Sequence, residues 1–207
     1  IVSAKIRFPS IEFIKFEDDA FFLMSREEMR DFGQKYKEKV KLPLIILGAT
    51  PSTLTKEKFS LMVDAGLWEI RMGIQSAGTN TKKIFKRPHS NKRVFHATNI
   101  ANRFKDKVRA KYDVIIDSPW ETDEDQIETL MFLARIKTPW LLNLFSLTFY
   151  PGTTLYTKAK KEGIITDDLN EIYRKSFHGY RKTYLNALFF MLKDYVEIGL
   201  GIHPKVM

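Results

Sequence analysis

The sequence contains no cysteine. That absence excludes a disulfide framework, a thiolate zinc site, an iron–sulfur cluster held by cysteines of this chain, and a cysteine nucleophile. Long hydrophobic runs are lacking too. The longest strongly apolar stretch, Ala187 to Leu192, falls far short of the roughly 20 residues of a membrane span. The chain starts at Ile1 without a basic leader before an apolar stretch, so it reads as an internal piece or a processed product of a soluble, cytoplasmic protein with no signal peptide and no membrane partner. Histidine is scarce. His89, His96, His178 and His203 show none of the HxxH or HExxH spacings of a metal site, and His96, on a helix rich in small residues, reads as packing or surface. A glycine-rich phosphate loop with lysine and a GxSxG nucleophile elbow are also missing, which argues against polyphosphate binding and against a Ser–His–Asp hydrolase.

What is present suits a folded enzyme-sized domain. The 207 residues are 44% hydrophobic and 13% aromatic, enough to bury a sizeable core and to exclude a disordered or fibrous chain. The net charge of +9 favours a polyanion only if the excess gathers on one face. In sequence it does not gather. Basic residues are spread over 26–41, 82–93, 103–111, 158–161 and 174–182, and read first as solvated helix faces.

Strands and helices alternate. Strands begin near 11, 44, 69, 112 and 141. The first is Ile11–Phe16, and the longest runs from Leu141 to Phe149. Between them, Ser25 with Glu28 forms a capping box ahead of Met29, Phe32, Tyr36 and Val40. A helix over 55–65 stops at Gly66, Asn91 can cap a helix bearing Val94, Ala97 and Ala101, and Thr122 with Asp125 opens a helix bearing Ile127, Leu130 and Met131. Apolar strands joined by amphipathic helices call for a parallel sheet, because a parallel pair needs a long crossover. Beyond Ile165 the pattern becomes helical over 167–200, with Leu185, Leu188, Phe189, Leu192 and Val196 as a stripe that covers the sheet or a neighbouring domain.

Parallel α/β folds bind ligands at the carboxyl ends of their strands. The residues that follow the strands here are Glu17, Asp18 and Asp19, then Thr50, then Gln75 and Ser76, then Asp117 and Ser118, then Tyr150. Carboxylates can bind ammonium or ribose hydroxyls, and an amide can hold an adenine edge or a carboxylate. That chemistry suits a nucleoside carrying an amino acid. Each residue taken singly also fits a loop or N-cap role.

Four ordered segments resemble the radical S-adenosylmethionine (radical SAM) enzymes, in particular the branch often joined to a cobalamin-binding domain. They are Phe13-Ile-Lys-Phe-Glu-Asp-Asp-Ala-Phe-Phe22, Asp64-Ala-Gly-Leu-Trp-Glu-Ile-Arg-Met-Gly-Ile-Gln-Ser76, Asp117-Ser-Pro-Trp-Glu-Thr-Asp-Glu-Asp125 and Phe149-Tyr-Pro-Gly-Thr-Thr-Leu-Tyr156, and the resemblance spans about residues 11–165. It implies an α/β fold, a partial parallel (β/α) barrel over 1–165 that lacks the first strand and the cluster loop, followed by a helical extension over 166–207. It also implies S-adenosylmethionine as cofactor, an iron–sulfur cluster only in the complete protein, and cobalamin through a domain not present here. By the resemblance, Glu17, Asp18 and Asp19 face the methionine amino group. Arg71, Gln75 and Ser76 lie near the ribose and carboxylate, and Ile115, Ile116, Asp117 and Ser118 near the adenine.

Two departures stand out. The family's CxxxCxxC loop is absent, so the chain alone is expected not to cleave S-adenosylmethionine reductively. Where the family writes Gly-x-Pro-Gly-Glu-Thr, this sequence has Asp117-Ser-Pro-Trp-Glu-Thr122, which puts a bulky ring where glycine tolerates positive φ. The missing cysteines fit a chain that begins after its cluster loop, with an upstream segment of the same polypeptide as partner, or a degenerate relative without the chemistry. Two readings of other classes stay open. One is a basic module that holds RNA or another polyanion through Lys, Arg, Trp68, Trp120 and Trp140. The other is a metal-independent barrel enzyme with Asp19 and Asp117 as acid and base. The substrate, a small molecule or RNA, is not legible. An incomplete barrel leaves a strand edge through which the chain can dimerise unless the tail helix shields it.

Overall fold

The computed structural model describes residues 1–18, 20–87 and 89–197, so Asp19 and His203, both singled out in the sequence, lie outside the described residues. In chain order the elements are α1 (Val2–Arg7), β1 (Ile14–Phe16), α2 (Arg26–Lys39), β2 (Leu44–Ala49), α3 (Lys56–Ala65), β3 (Leu67–Gln75), α4 (Thr79–Ile84), α5 (Asn91–Asn102), β4 (Arg109–Ile116), α6 (Asp123–Ala134), β5 (Leu141–Ser146), α7 (Thr154–Lys161) and α8 (Tyr184–Glu197). The five strands form one sheet in the order β1-β2-β3-β4-β5, and every neighbouring pair is parallel.

Local chemistry sets most boundaries. Ser25 and Glu28 form the reciprocal capping box of α2, with Ser25 N donating to Glu28 Oε2 at 2.7 Å and Glu28 N to Ser25 Oγ at 3.2 Å. Thr55, Ser90, Thr122 and Thr153 each accept a backbone N–H from the first turn of α3, α5, α6 and α7. Ser90 thus takes the capping position expected of Asn91, whose Nδ2 donates instead to Ala77 O at 2.9 Å. Gly66 ends α3 at φ 111°, a left-handed value that suits glycine.

The sheet corrects three strand limits. β1 spans three residues rather than six because its ladder begins where Ile14 N donates to Pro43 O. Ahead of Pro43, Lys41 turns the chain away at φ 56° and leaves nothing for Ile11–Phe13 to pair with. β4 begins at Arg109, since Glu69 and Ile70 of β3 already pair Arg109 and Ala110. β5 ends at Ser146, and Phe149 turns into a small separate cluster with Leu147, Ala159, Ile165 and Ile172. The tail is helical over 184–197, with a five-residue π-helical turn at Leu169–Tyr173. The residues between them form extended chain and turns, so the long helix expected over 167–200 is interrupted.

Consecutive parallel strands joined by right-handed crossovers carry all their helices on one face. On that face Ile70, Met72, Ile74, Tyr112, Val114, Ile116, Leu142 and Leu144 meet Met29, Phe59, Met62, Ala97 and Leu133 in one continuous core. Each fully buried aliphatic side chain contributes roughly 1.5–3 kcal/mol. The α8 stripe behaves as expected, with Phe189, Leu192 and Val196 buried against β5 and α6. The alternate residues of β3–β5, among them Arg71, Gln75, Asp113, Ile115, Asn143 and Phe145, turn to the opposite face, where they are only partly buried. Among the described residues, no helix is long and apolar enough to cross a membrane.

Candidate functional site

The open face carries a cavity of about 350 Å³ at the carboxyl ends of β3, β4 and β5, a size within the range of small-molecule sites. Arg71 and Gln75 from β3, Asp113 and Ile115 from β4, and Phe145 and Ser146 from β5 form its base, with Tyr150 and Phe177 at its side. Strand alternation brings these strand residues together, apart from Ser146, whose side chain shares the core side of β5 with Leu142 and Leu144. Once Ile70, Met72, Tyr112 and Val114 are committed to the core, their neighbours must face the cavity.

One charged network spans this floor. Arg71 Nε donates to both Asp113 carboxylate oxygens, at 2.8 and 2.6 Å, and Asn143 Nδ2 donates to Asp113 Oδ1 at 2.9 Å. Burial pushes the Asp113 carboxyl above its ordinary range, while Asn143 and the Arg71 guanidinium pull the other way. The guanidinium carbon also stands 5.2 Å from the centre of the Phe145 ring, close enough for a cation–π contact. Among the described residues the Nη groups of Arg71 have no hydrogen-bond partner, so they remain free to donate to a ligand. The Ser146 hydroxyl is likewise buried without a partner among the described residues.

Gln75 reaches the cavity through an irregularity. Its φ is 67°, and the β3–β4 pairing shifts by one residue between Gly73 and Gln75. The neighbouring Gly73 makes room for it, because a Cβ there would lie 2.5 Å from Gln75 Nε2.

Of the residues assigned from sequence, Arg71, Gln75 and Ile115 line this cavity. Ser76 is buried behind it, with its Oγ 3.1 Å from Thr129 Oγ1 and accepting from Gly78 N at 3.0 Å. Ile116 belongs to the core. Asp117 is buried and faces the tail, with Oδ2 accepting from Arg181 N at 3.1 Å and Oδ1 from Asn186 Nδ2 at 2.7 Å. Both of its oxygens are engaged, which leaves it poorly suited to the acid–base role. Ser118 is buried with its Oγ unpartnered among the described residues. Glu17 is exposed beside Lys15, whose ammonium holds the carboxyl below its usual range, and Asp18 caps Ala20 N at 2.8 Å.

Trp120 does not crowd the cavity. Its ring packs edge-on to Phe149 at 5.7 Å, and its Nε1 donates to Glu162 Oε2 at 2.6 Å. The next residue, Glu121, sits in a buried polar pocket beside Thr81 and Asp125. Burial first and the Asp125 charge second push its carboxyl up to about 7. Sequence reasoning missed Asp113, Phe145, Ser146 and Phe177. The first two were available from alternation within their strands, whereas Phe177 comes from an irregular segment with no period to read.

No protein-family model matches the chain. It is 25% identical to the heme chaperone HemW of Haemophilus influenzae over 209 residues, which cover 92% of this chain and 51% of that protein. Among solved structures it is similar to the coproporphyrinogen III oxidase HemN of Escherichia coli, a radical SAM enzyme, with a TM-score of 0.63 and 15% identity over 90% of this chain and 40% of that one. It is also similar to the methyltransferase TsrM of Kitasatospora setae, whose structure holds cobalamin and a [4Fe-4S] cluster, with a TM-score of 0.62 and 15% identity over 78% of this chain and 30% of that one. The chain therefore spans about half the length of the curated relative and less of the solved ones.

Proposed function

We propose that the cavity at the carboxyl ends of β3–β5 binds S-adenosylmethionine, as the cofactor-facing part of an enzyme of the radical SAM family, whose motifs the sequence resembles and whose fold it shares. The observation that carries the reading is the convergence of Arg71, Gln75 and Ile115, from two strands, on one cavity of about 350 Å³. A free guanidinium edge and a side-chain amide suit the ribose hydroxyls and the carboxylate. The Ile115 side chain and the aromatic walls suit a base. Asp117 and Ser76 act here as positioning residues, since they hold the chain that shapes the rim rather than face the cavity.

The residues present do not fit the family's cluster. A cluster held by three thiolates needs cysteines, and this sequence has none. Among the described residues, moreover, no three of His, Asp and Glu are placed to hold a metal ion. What the cavity supplies is therefore binding and orientation of the nucleoside, with no radical step assigned to these residues. Calorimetry of the chain with S-adenosylmethionine tests this. Saturable binding that weakens at least 10-fold in Arg71→Ala and in Gln75→Ala is the expected result. A folded chain with no binding, or binding untouched by both substitutions, overturns it.

A further inference from the structure

A second site lies at the opposite end of the sheet. Trp68, the second residue of β3, keeps 43% of its surface exposed despite its size. Its indole is the wall shared by two clefts at the amino-terminal ends of the strands, one of about 630 Å³ and one of about 340 Å³. Lys37, Lys41 and Lys107 border the first, and Lys105, Lys107 and Arg109 the second. Against these five cations the same walls carry three carboxylates, Asp64, Asp106 and Glu197. Among the described residues none of the four lysines is ion-paired, so their charge is available to a partner. Arg109 is placed differently. Glu69 holds its guanidinium, whose carbon stands 4.7 Å from the centre of the Trp68 ring.

Lys41 lines the larger cleft. It follows the C-terminus of α2 at φ 56°, with its N–H donating to Tyr36 O, a position where glycine avoids the strain that a side chain incurs.

We propose that this surface binds single-stranded nucleic acid, with the lysines of the larger cleft on the phosphates and a base stacked on the Trp68–Arg109 platform. The chemistry is that of stacking platforms beside cationic grooves. The clefts flank an aromatic face at the scale of single bases, whereas a duplex would present only its phosphates to a row this short. An anionic membrane would instead call for protruding apolar side chains beside the cations, and here the ring forms a wall between recesses.

Fluorescence anisotropy with a labelled oligouridylate of about 12 nucleotides, within the range of such sites, tests the assignment. Binding is expected to weaken steeply with salt. Trp68→Ala should lose roughly 10-fold in affinity with the salt slope unchanged, because stacking is removed and charge is not. Lys41→Gly together with Lys107→Gln should lower affinity and reduce the salt slope by about 1.4, at about 0.7 for each cation lost on a single strand. Lys41→Gly should at the same time raise the thermal midpoint, a combination that general damage does not produce. Three results overturn the proposal: no binding at low salt by the folded chain, binding that Lys158→Gln with Lys160→Gln weakens as much as the cleft variants do, or Trp68-dependent binding to anionic vesicles without binding to the oligonucleotide.

Discussion

Asn186 on α8 donates its side-chain amide to Asp117 at the end of β4, 2.7 Å away and across 69 residues of sequence. The same carboxylate accepts the backbone N–H of Arg181, so the tail is fastened to the rim of the sheet by one buried acidic group at φ 65°. Hydrogen bonds to a charged acceptor contribute roughly 1.5–3 kcal/mol each. Asp117→Ala is therefore expected to lower unfolding free energy by about 2–4 kcal/mol in urea. Asn186→Ala should cost a similar amount because it leaves a carboxylate buried with one partner fewer. In a double-mutant cycle the two changes should couple by about 1 kcal/mol or more. Wild-type stability in Asp117→Ala, with ligand binding abolished, would instead make Asp117 a residue that touches the nucleoside.

Glu121 makes stability depend on pH in an unusual direction. Its carboxyl is pushed up to about 7 in the folded chain by burial and by Asp125, against about 4.5 when solvated. The folded state thus binds the proton more tightly than the unfolded state, and this group's contribution is present below pH 4.5 and lost as pH rises through 7. A gap of that size corresponds to about 3 kcal/mol. Glu121→Gln keeps the shape and removes the charge. It should be more stable than the wild type by about 2–3 kcal/mol at pH 8, with the difference vanishing near pH 4.5. Parallel chemical denaturation of the two proteins across that range measures it, and a pH-independent difference sinks the assignment.

The sheet, its direction and most helix starts were legible because they rest on local chemistry. Ser25 with Glu28, Thr122 with Asp125 and Gly66 each fix a boundary through their own hydrogen bonds or φ. Part of the cavity was legible for a related reason. Arg71 and Ile115 alternate with core residues, and two-residue periodicity decides which way they face, a rule that also places the overlooked Asp113. What escaped depends on long-range pairing. Nothing near Asp117 in sequence announces Asn186, the partner its carboxylate meets across 69 residues. Phe177 enters the cavity because Ser146 N donates to Phe177 O, which pins an aperiodic segment beside β5.

That same segment bears on self-association. Ser146 N is satisfied by Phe177 O at 2.8 Å, and Leu144 O by the Tyr180 hydroxyl at 2.7 Å, so the tail occupies groups that the β5 edge would offer to another strand. With its β1 edge blocked by Lys15→Pro, the chain is expected to run as a monomer of about 24.2 kDa in light scattering at micromolar concentration, because β5 offers no free edge. Leu192→Asp, which puts a charge into the buried side of α8, should detach the tail and give concentration-dependent association. A wild-type dimer that persists when the other edge strand, β1, is blocked by Lys15→Pro would show that the β5 edge is not shielded.

Gly73 offers the sharpest separation between fold and binding. It lies on the open face of β3, and a methyl group there would meet the far end of one flexible side chain, Gln75 Nε2 at 2.5 Å, together with other atoms of the same residue. The backbone can keep its place if the amide swings aside, so Gly73→Ala should change stability by less than about 1 kcal/mol. If Gln75 holds S-adenosylmethionine, displacing its amide should weaken binding roughly 5- to 30-fold, the range of one or two kcal/mol. Gly78→Ala is the control for a methyl group that cannot be accommodated. Its Cβ would stand 2.6 Å from Asp125 Cβ and 2.8 Å from Asp125 O, inside a buried turn, and should destabilise the whole chain. Calorimetry and thermal unfolding of the two variants side by side separate the effects. Gly73→Ala binding like the wild type would remove Gln75 from the site, and with it the amide contact on which the nucleoside reading partly rests.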